Sequence, residues 1–188
     1  MVRLFIAVDP ELEVRQRIER AAASLHPISP RSKWIDPAGF HLTLVFLGEQ
    51  PVEKLPQIEA AMGQVAAATA PFSLRFGQGG AFGSPRHPRT IWVGVHGEIE
   101  KLRALHHATE HALVPLGFTP ETRVFTPHLS LARSRESKGD PALAACLPKI
   151  DEDFGETRIT GMVLYRSDMG PVRSTYTALV TAPFEGAR

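Results

Sequence analysis

Residues 40–47 read FHLTLVFL and residues 127–133 read PHLSLAR, and these two stretches decide how the chain is expected to fold. Each contains a tetrad, HLTL at 41–44 and HLSL at 128–131, in which a histidine and a hydroxyl residue alternate with leucines. Successive side chains of a β-strand point to opposite faces of the sheet. The pattern therefore predicts two strands that bury their leucines on one face and present an imidazole and a hydroxyl group on the other.

Apolar runs on both sides of the tetrads predict further strands, and the segments between them predict helices. Asp9 and Pro10 are expected to cap and begin the first helix, while Gly48 and the glycine-rich residues 77–80 are expected to end two strands. The predicted strands cover residues 4–8, 40–47, 72–76, 91–95, 124–132, 158–165 and 174–181, with a short extended piece at 34–35, and the predicted helices run to about residue 24 and over 52–68, 98–113 and 143–147.

The fold class expected from this order is α+β. Several neighbouring strands are joined by loops that are too short for a helical crossover, which argues against a strict β-α-β-α succession. The order strand, helix, histidine-bearing strand, helix, strand occurs roughly once in each half of the chain. An internal duplication with two lobes that face one cleft would explain this repeat, but the pattern alone does not decide between duplication and coincidence.

Length and composition limit the classes of protein to consider. The 188 residues suit a single domain, residues 1–188, with 43% hydrophobic and 22% charged residues, as in folded water-soluble proteins. Lys and Arg total 21 against 20 acidic residues, a formal net charge of +1, whereas proteins that coat long duplex nucleic acid carry a large basic excess. Any contact with nucleic acid should therefore be local.

The number of cysteines and the N-terminal sequence indicate the cellular compartment in which the protein is expected to work. One cysteine, Cys146, excludes an intrachain disulfide and a thiolate metal cluster. The apolar run at 4–8 is too short for a signal peptide, and no stretch approaches the ~20 residues that cross a bilayer. We expect a cytoplasmic monomer that makes no contact with a membrane.

His41, Thr43, His128 and Ser130 form a combination that suits hydrolysis of a cyclic phosphodiester. That reaction needs a base to take a proton from water and an acid to protonate the departing sugar oxygen on the opposite side of phosphorus. Two imidazoles with pKa values of about 6.5 can divide this work at neutral pH. The two alcohols can donate hydrogen bonds to the non-bridging phosphate oxygens. No metal and no other cofactor is chemically required.

Five stretches carry a resemblance to a known family: RLFIAV at 3–8, Trp34, HLTLVFLGE at 41–49, TPHLSLAR at 126–133 and LYRS at 164–167. The paired tetrads resemble the signature of the two-histidine (2H) phosphoesterases. With their surroundings they look like the RNA 2′,3′-cyclic phosphodiesterases, also called LigT-type 2′-5′ RNA ligases. The resemblance extends over nearly the whole chain.

The resemblance implies a fold, a reaction and a set of site residues. The fold would be bilobal and duplicated, with two mainly antiparallel sheets that flank a central cleft and with helices outside. His41 would donate a proton to the leaving oxygen, His128 would activate water, and Thr43, Ser130 and Arg133 would bind the phosphate. Substrates would be RNA with a 2′,3′-cyclic phosphate end or small cyclic nucleotides. The product would be a 2′-phosphomonoester, with reversible 2′-5′ ligation as a side reaction.

Two of these positions differ from the simplest expectation. Ser130 stands where threonine is commoner in the family, but it keeps the hydroxyl group. Strict alternation from His128 would put Arg133 on the leucine face, so its guanidinium reaches the phosphate only if the strand ends or bends near Ala132. Which RNA is cleaved stays open, since tRNA halves, short oligonucleotides and cyclic nucleotides are all compatible.

Two other functions remain to be distinguished. The chain could be a non-catalytic module that binds RNA ends or nucleotides in the same cleft. It could also be a metal-dependent hydrolase that uses His107 and His111, which share a helical face at a spacing that can bind zinc. Glu110 lies about 100° around the helix from His111, so the cluster of His106, His107 and His111 is better explained as surface histidines.

Aromatic and basic residues outside the tetrads are weaker candidates for substrate contact. Phe46, Trp34, Phe82 and Tyr165 could stack on bases, although core packing is the better explanation for each. Arg166 could bind substrate or lie on the surface with its aliphatic stem packed. The loop with Arg86, His87 and Arg89 could grip an RNA backbone, although a solvated loop is the better explanation.

Overall fold

The chain forms two antiparallel sheets that are each backed by two helices, in a computed structural model that describes residues 1–170 and 174–186. The α+β class with two mainly antiparallel sheets is thus confirmed. The strands are β1 (Val2–Val8), β2 (Lys33–Trp34), β3 (Leu42–Gln50), β4 (Phe72–Ser84), β5 (His87–Gly97), β6 (His128–Arg133), β7 (Asp153–Ile159), β8 (Gly161–Met169) and β9 (Ser174–Pro183), and the helices are α1 (Leu12–Leu25), α2 (Leu55–Ala68), α3 (Ile99–Leu113) and α4 (Pro141–Cys146).

The two sheets do not correspond to the two halves of the sequence. The four-stranded sheet has the order β3-β1-β8-β9, and the five-stranded sheet has the order β2-β6-β5-β4-β7. The first sheet therefore takes two strands from the C-terminal part of the chain, and the second takes β2 from the N-terminal part. Helices α2 and α3 pack on the four-stranded sheet, while α1 and α4 pack on the five-stranded sheet. Descent of the two lobes from a duplication stays a prediction.

Apolar periodicity explains why α1 forms and which face it buries. Val14, Ile18, Ala22 and Leu25 are buried at spacings of three and four residues, as on one face of a helix. The helix begins at Leu12 with Glu11 before it, so the prediction of Asp9 as its N-cap is wrong. Because Asp9 lies at the end of β1, its carboxylate instead meets the neighbouring strand β8.

Two strands continue through the glycines that were expected to end them. Strand β3 passes Gly48 at a φ of 68°, and β4 passes a bulge at Gln78, where φ is 60°. A Cβ atom on Gly80 would lie 2.0 Å from the ring of Trp92. Gly80 therefore allows the Trp92 ring to pack closely against the strand and does not end the strand.

Two other strand boundaries also differ from prediction. The strand predicted at 158–165 is two strands, because the chain leaves the five-stranded sheet at Ile159 and enters the four-stranded sheet at Gly161. The strand predicted at 124–132 begins only at His128. Within the part of the chain that the structure describes, no helix is long and apolar enough to cross a membrane.

Candidate active site

The two tetrads meet at a cavity of about 190 Å³ between the sheets. Strand β3 of the four-stranded sheet contributes Thr43, with His41 just before it, and β6 of the five-stranded sheet contributes His128, Ser130 and Arg133. The structure thus brings all five predicted site residues to one cavity, although His41 and His128 are 87 positions apart in the sequence. We call this cavity the cleft.

A β-bulge in β6 places Arg133 on the same side as the histidine. Trp92 of β5 pairs with Ser130, but the preceding residue, Ile91, pairs with Ala132, so Leu131 is an extra residue in β6. An extra residue shifts the alternation of side chains by one position. Arg133 therefore lines the cleft with His128 instead of following the leucines.

His41 is packed among three aromatic rings. Its ring centroid lies 4.6 Å from that of Phe5, 5.8 Å from that of Tyr165 and 5.1 Å from that of Tyr176. This burial lowers the pKa of His41 from 6.5 to about 4. A hydrogen bond with the backbone of Gly39 opposes the shift, while the positive charges of Arg133, Arg15 and His128 add to it. The imidazole of His41 is therefore neutral at pH 7.

The imidazole ring of His128 is held in one orientation by a backbone carbonyl group and by two aromatic rings. Its Nδ1 lies 2.7 Å from the carbonyl oxygen of Thr126, and the rings of Phe82 and Trp92 lie 4.7 Å and 5.9 Å away. Burial lowers the pKa of His128, the hydrogen bond to Thr126 opposes this, and the charge of Arg133 adds to the lowering. A neutral ring that donates from Nδ1 leaves the Nε2 lone pair free to accept a proton.

A partly buried hydrogen bond lies behind His41. The Tyr165 hydroxyl donates to Asp9 Oδ2 at 2.6 Å, and Asp9 Oδ1 is buried with no hydrogen-bond partner among the described residues. Burial raises the pKa of the Asp9 carboxyl, and burial together with this bond raises the pKa of Tyr165. Tyr165 is thus fixed in the wall behind His41, where its ring also stacks on Phe5 at 5.3 Å.

Several residues of the cleft were not found by sequence analysis. The cleft is also lined by Arg3, Phe5, Tyr176 and other residues of the four-stranded sheet. The Tyr176 ring lies 2.7 Å from the position that a Cβ atom on Gly39 would take, so only glycine leaves room for it. Phe5 lies within the apolar run at 4–8 and Arg3 just before it, and alternation along an extended strand would have put these two residues on one face. No comparable pattern in the sequence indicates that Tyr176 lines the cleft.

Other residues considered from the sequence have structural explanations. Arg166 forms an ion pair with Asp168 at 2.8 Å on the surface. Trp34 donates its Nε1 hydrogen to the Ser29 carbonyl at 2.9 Å and packs on the ring of His26. Arg86, His87 and Arg89 are exposed, as expected for a solvated segment, but only Arg86 lies in the turn between β4 and β5. His87 and Arg89 belong to β5, so the prediction of a loop at these two residues is wrong.

Helix α3 carries the one group of histidines and carboxylates in residues 1–170 and 174–186 whose ligand atoms converge. The group consists of His106, His107 and Glu110, with ligand atoms within 4.8 Å of one another. The prediction that His106 is a surface residue is wrong: its Nδ1 lies 3.0 Å from the Leu44 carbonyl oxygen and its Nε2 lies 3.3 Å from Glu110 Oε2. His111 is exposed and does not belong to this group. His106 and Glu110 are both buried, and their side chains contact each other one helical turn apart.

Comparison with known proteins agrees with this architecture. The family model described as the 2′-5′ RNA ligase superfamily matches residues 6–171. The RNA 2′,3′-cyclic phosphodiesterase of Geobacillus stearothermophilus is 34% identical over 185 residues, which is 97% of this chain and 57% of that longer protein. The RNA 2′,3′-cyclic phosphodiesterase of Archaeoglobus fulgidus is 34% identical over 95% of this chain and 98% of its own length.

Solved structures share the fold over the whole chain. A crystal structure from Thermus thermophilus has a TM-score of 0.83 and 28% identity, and covers 99% of this chain and 100% of that chain. E. coli LigT complexed with 3′-AMP has a TM-score of 0.77 and 25% identity, and covers 97% of this chain and 98% of that chain. The family match extends over most of the sequence, so the resemblance drawn from the two tetrads is confirmed and the chain belongs to the 2′-5′ RNA ligase superfamily.

Proposed function

We propose that this chain hydrolyses 2′,3′-cyclic phosphate ends of RNA to 2′-phosphomonoesters by metal-independent catalysis with His41 and His128. One observation carries the proposal: two histidines, each followed at the second position by an alcohol, line one small cavity. It is supported by relatives that are named RNA 2′,3′-cyclic phosphodiesterases and by a structural neighbour that was crystallised with 3′-AMP.

The two histidines would divide the proton transfers. His128, with its Nδ1 hydrogen on the Thr126 carbonyl, would take a proton from water at Nε2 as the water oxygen attacks phosphorus. The bond between phosphorus and the 3′ oxygen breaks, and protonated His41 gives that oxygen its proton. The phosphate stays on the 2′ oxygen. The same sequence, with an RNA 5′-hydroxyl in place of water as the attacking group, would give the 2′-5′ ligation, and its reversal would cleave that linkage and re-form the cyclic phosphate.

The low pKa of His41 connects its protonation to substrate binding. In the empty cleft burial keeps the ring neutral, and an anionic phosphodiester beside it favours the imidazolium form. Substrate would therefore bind together with a proton, which places the general acid in its active form only when a phosphate is present. The Thr43 and Ser130 hydroxyls and the Arg133 guanidinium would hold the phosphate oxygens.

The test is hydrolysis of a short RNA that bears a 2′,3′-cyclic phosphate, with chelator present. We expect a product with a 2′-phosphate, identified by phosphorus NMR, and loss of hydrolysis in both His41→Ala and His128→Ala. His107→Ala is the matched control, because this histidine lies on α3 outside the cleft and its side chain is 74% exposed. Full activity in either cleft variant, or a product with a 3′-phosphate, would contradict the proposal.

The same experiment separates the alternative functions. A non-catalytic module would bind the cyclic end and release no product. A metal-dependent hydrolase on α3 would lose activity with chelator and also in His107→Ala, while His41→Ala stayed active. Each alternative therefore gives a pattern that differs from the one we expect.

A further inference from the structure

Three side chains in the middle of α3 direct atoms that can bind a metal at one point. His106 Nε2 lies 3.3 Å and His107 Nδ1 lies 4.0 Å from the same atom, Glu110 Oε2. Zinc bonds of about 2.0–2.2 Å at tetrahedral angles place neighbouring ligand atoms about 3.3–3.5 Å apart. The first pair therefore already has the spacing of two zinc ligands. Because the His107 side chain is 74% exposed, its ring can turn and shorten the longer distance.

The hydrogen bond of His106 directs a nitrogen lone pair at this point. The carbonyl oxygen of Leu44 can only accept, so the His106 Nδ1 that lies 3.0 Å from it must donate. In the neutral ring Nε2 then carries the lone pair, and it faces a buried carboxylate oxygen. Two lone pairs at this distance repel each other unless a proton or a metal ion lies between them. Histidines that bind a metal commonly donate the other ring hydrogen to a backbone carbonyl in this way.

The position of His107 favours a metal ion over a proton between these groups. A proton would satisfy His106 and Glu110 alone and would leave no role for a second imidazole. A bound zinc ion takes at least three ligands from the protein, and His107 supplies the third beside the other two. Two imidazoles and one carboxylate suit zinc and related transition metals, whereas Mg²⁺ and Ca²⁺ prefer oxygen ligands alone.

Two of the three ligands are held in place by contacts with residues outside the helix. Glu110 Oε1 accepts a hydrogen bond from the backbone nitrogen of Glu121 at 2.8 Å. The Phe125 ring stacks on the His106 ring, with centroids 4.0 Å apart. Ligands that are already ordered lose less conformational entropy when an ion binds. A groove of about 570 Å³, lined by His106, Glu110 and residues of the segment 119–126, gives an ion a path from solvent.

We propose that His106, His107 and Glu110 bind one Zn²⁺ ion, or a transition-metal ion of the same ligand preference, and that this ion stabilises the packing of α3. The ligands contact the Leu44 carbonyl on β3 and the segment 119–126, so an ion bound to them strengthens the contacts among three parts of the chain. Its role is structural, because the three ligands lie outside the lining of the cleft. The inference goes beyond the proposed function and does not depend on it.

The experiment is a titration with ZnCl₂ of the untagged protein, first stripped with chelator and then freed of it. Calorimetry should give one ion per chain, and zinc at about 100 times its Kd should raise the Tm by about 5–10 °C. His107→Ala removes a ligand at an exposed position, so it should fold as wild type does and bind zinc about 100-fold more weakly. His111→Ala is the matched control, since His111 is also an exposed histidine of α3 but lies outside the cluster. Mg²⁺ should not displace the zinc.

NMR of the imidazole rings locates the ion. Zinc should shift the ring signals of His106 and His107 and leave those of His41 and His128 in place; shifts confined to His41 and His128 would put the ion in the cleft and overturn the inference. Equal zinc affinity in wild type and His107→Ala would also overturn it, as would a Tm that zinc does not raise, and a proton would then join His106 to Glu110. The hydrolysis assay contains chelator, so His107→Ala stays a valid control there, and either proposal can fail while the other stands.

Discussion

The buried imidazole of His41 should make the free energy of unfolding depend on pH. The pKa of His41 is lowered from 6.5 to about 4 in the folded protein, chiefly by burial. Between these values the unfolded chain binds the proton and the folded chain does not, so stability falls as the pH drops through this window. Above about pH 6.5 the ring is neutral in both states and contributes no pH dependence.

The size of the effect follows from the two pKa values. With a folded pKa of about 4 and an unfolded pKa of about 6.5, proton linkage gives a loss of about 2 kcal/mol between pH 7.0 and pH 4.5. The free energy of unfolding of a folded domain is typically about 5–15 kcal/mol, so this loss is a large share of it. The His41→Gln variant cannot be protonated in this range, so it should lack this part of the acid destabilisation.

The measurement is urea unfolding of wild type and His41→Gln at pH 7.0 and pH 4.5. The loss of stability on acidification should be about 2 kcal/mol smaller in the variant than in wild type. His87→Gln, at the exposed first residue of β5, should keep the wild-type difference. Identical acid destabilisation in wild type and His41→Gln would refute the view that burial holds this imidazole neutral.

Three further predictions concern the surroundings of this ring. Inorganic phosphate should raise the pKa of His41, because an anion in the cleft favours the imidazolium; a titration by NMR that shows no change with phosphate would contradict the coupling. Arg133→Met should raise the pKa values of both His41 and His128, since the guanidinium charge lowers them, and should weaken phosphate binding in calorimetry. Tyr165→Phe should cost about 1–3 kcal/mol in urea unfolding at pH 7, because Asp9 loses its buried donor; an unchanged stability would show that the bond contributes nothing.

Much of the site was available in the sequence because its information is local. The H-x-[S/T]-x spacing sets an imidazole and an alcohol on one face of a strand through the geometry of two neighbouring peptide units. Runs of apolar residues separated by helical segments likewise indicate an α+β fold. These features need no knowledge of what lies across the sheet, which is why the fold class and the family could be recognised from residues alone.

Strand boundaries at glycines were harder to predict, because a glycine has more than one use. Gly48 and the glycines near Gln78 were expected to end strands, but both strands continue. The reason at Gly80 is the Trp92 ring on the neighbouring strand β5, which occupies the space that a Cβ atom would need. A sequence shows that a side chain is missing and does not show what has taken its place.

By itself the sequence determined the two histidine tetrads, the alcohols beside them and the alternation of strands and helices, since each depends on neighbours in the chain. Tertiary structure decided where Arg133 points, because the bulge at Leu131 arises from pairing with β5. It also decided that His106 is buried and that the pKa of His41 falls to about 4, because desolvation comes from residues that are distant in sequence. Geometry within a strand is encoded locally, whereas burial and electrostatic environment exist only once separate strands have come together.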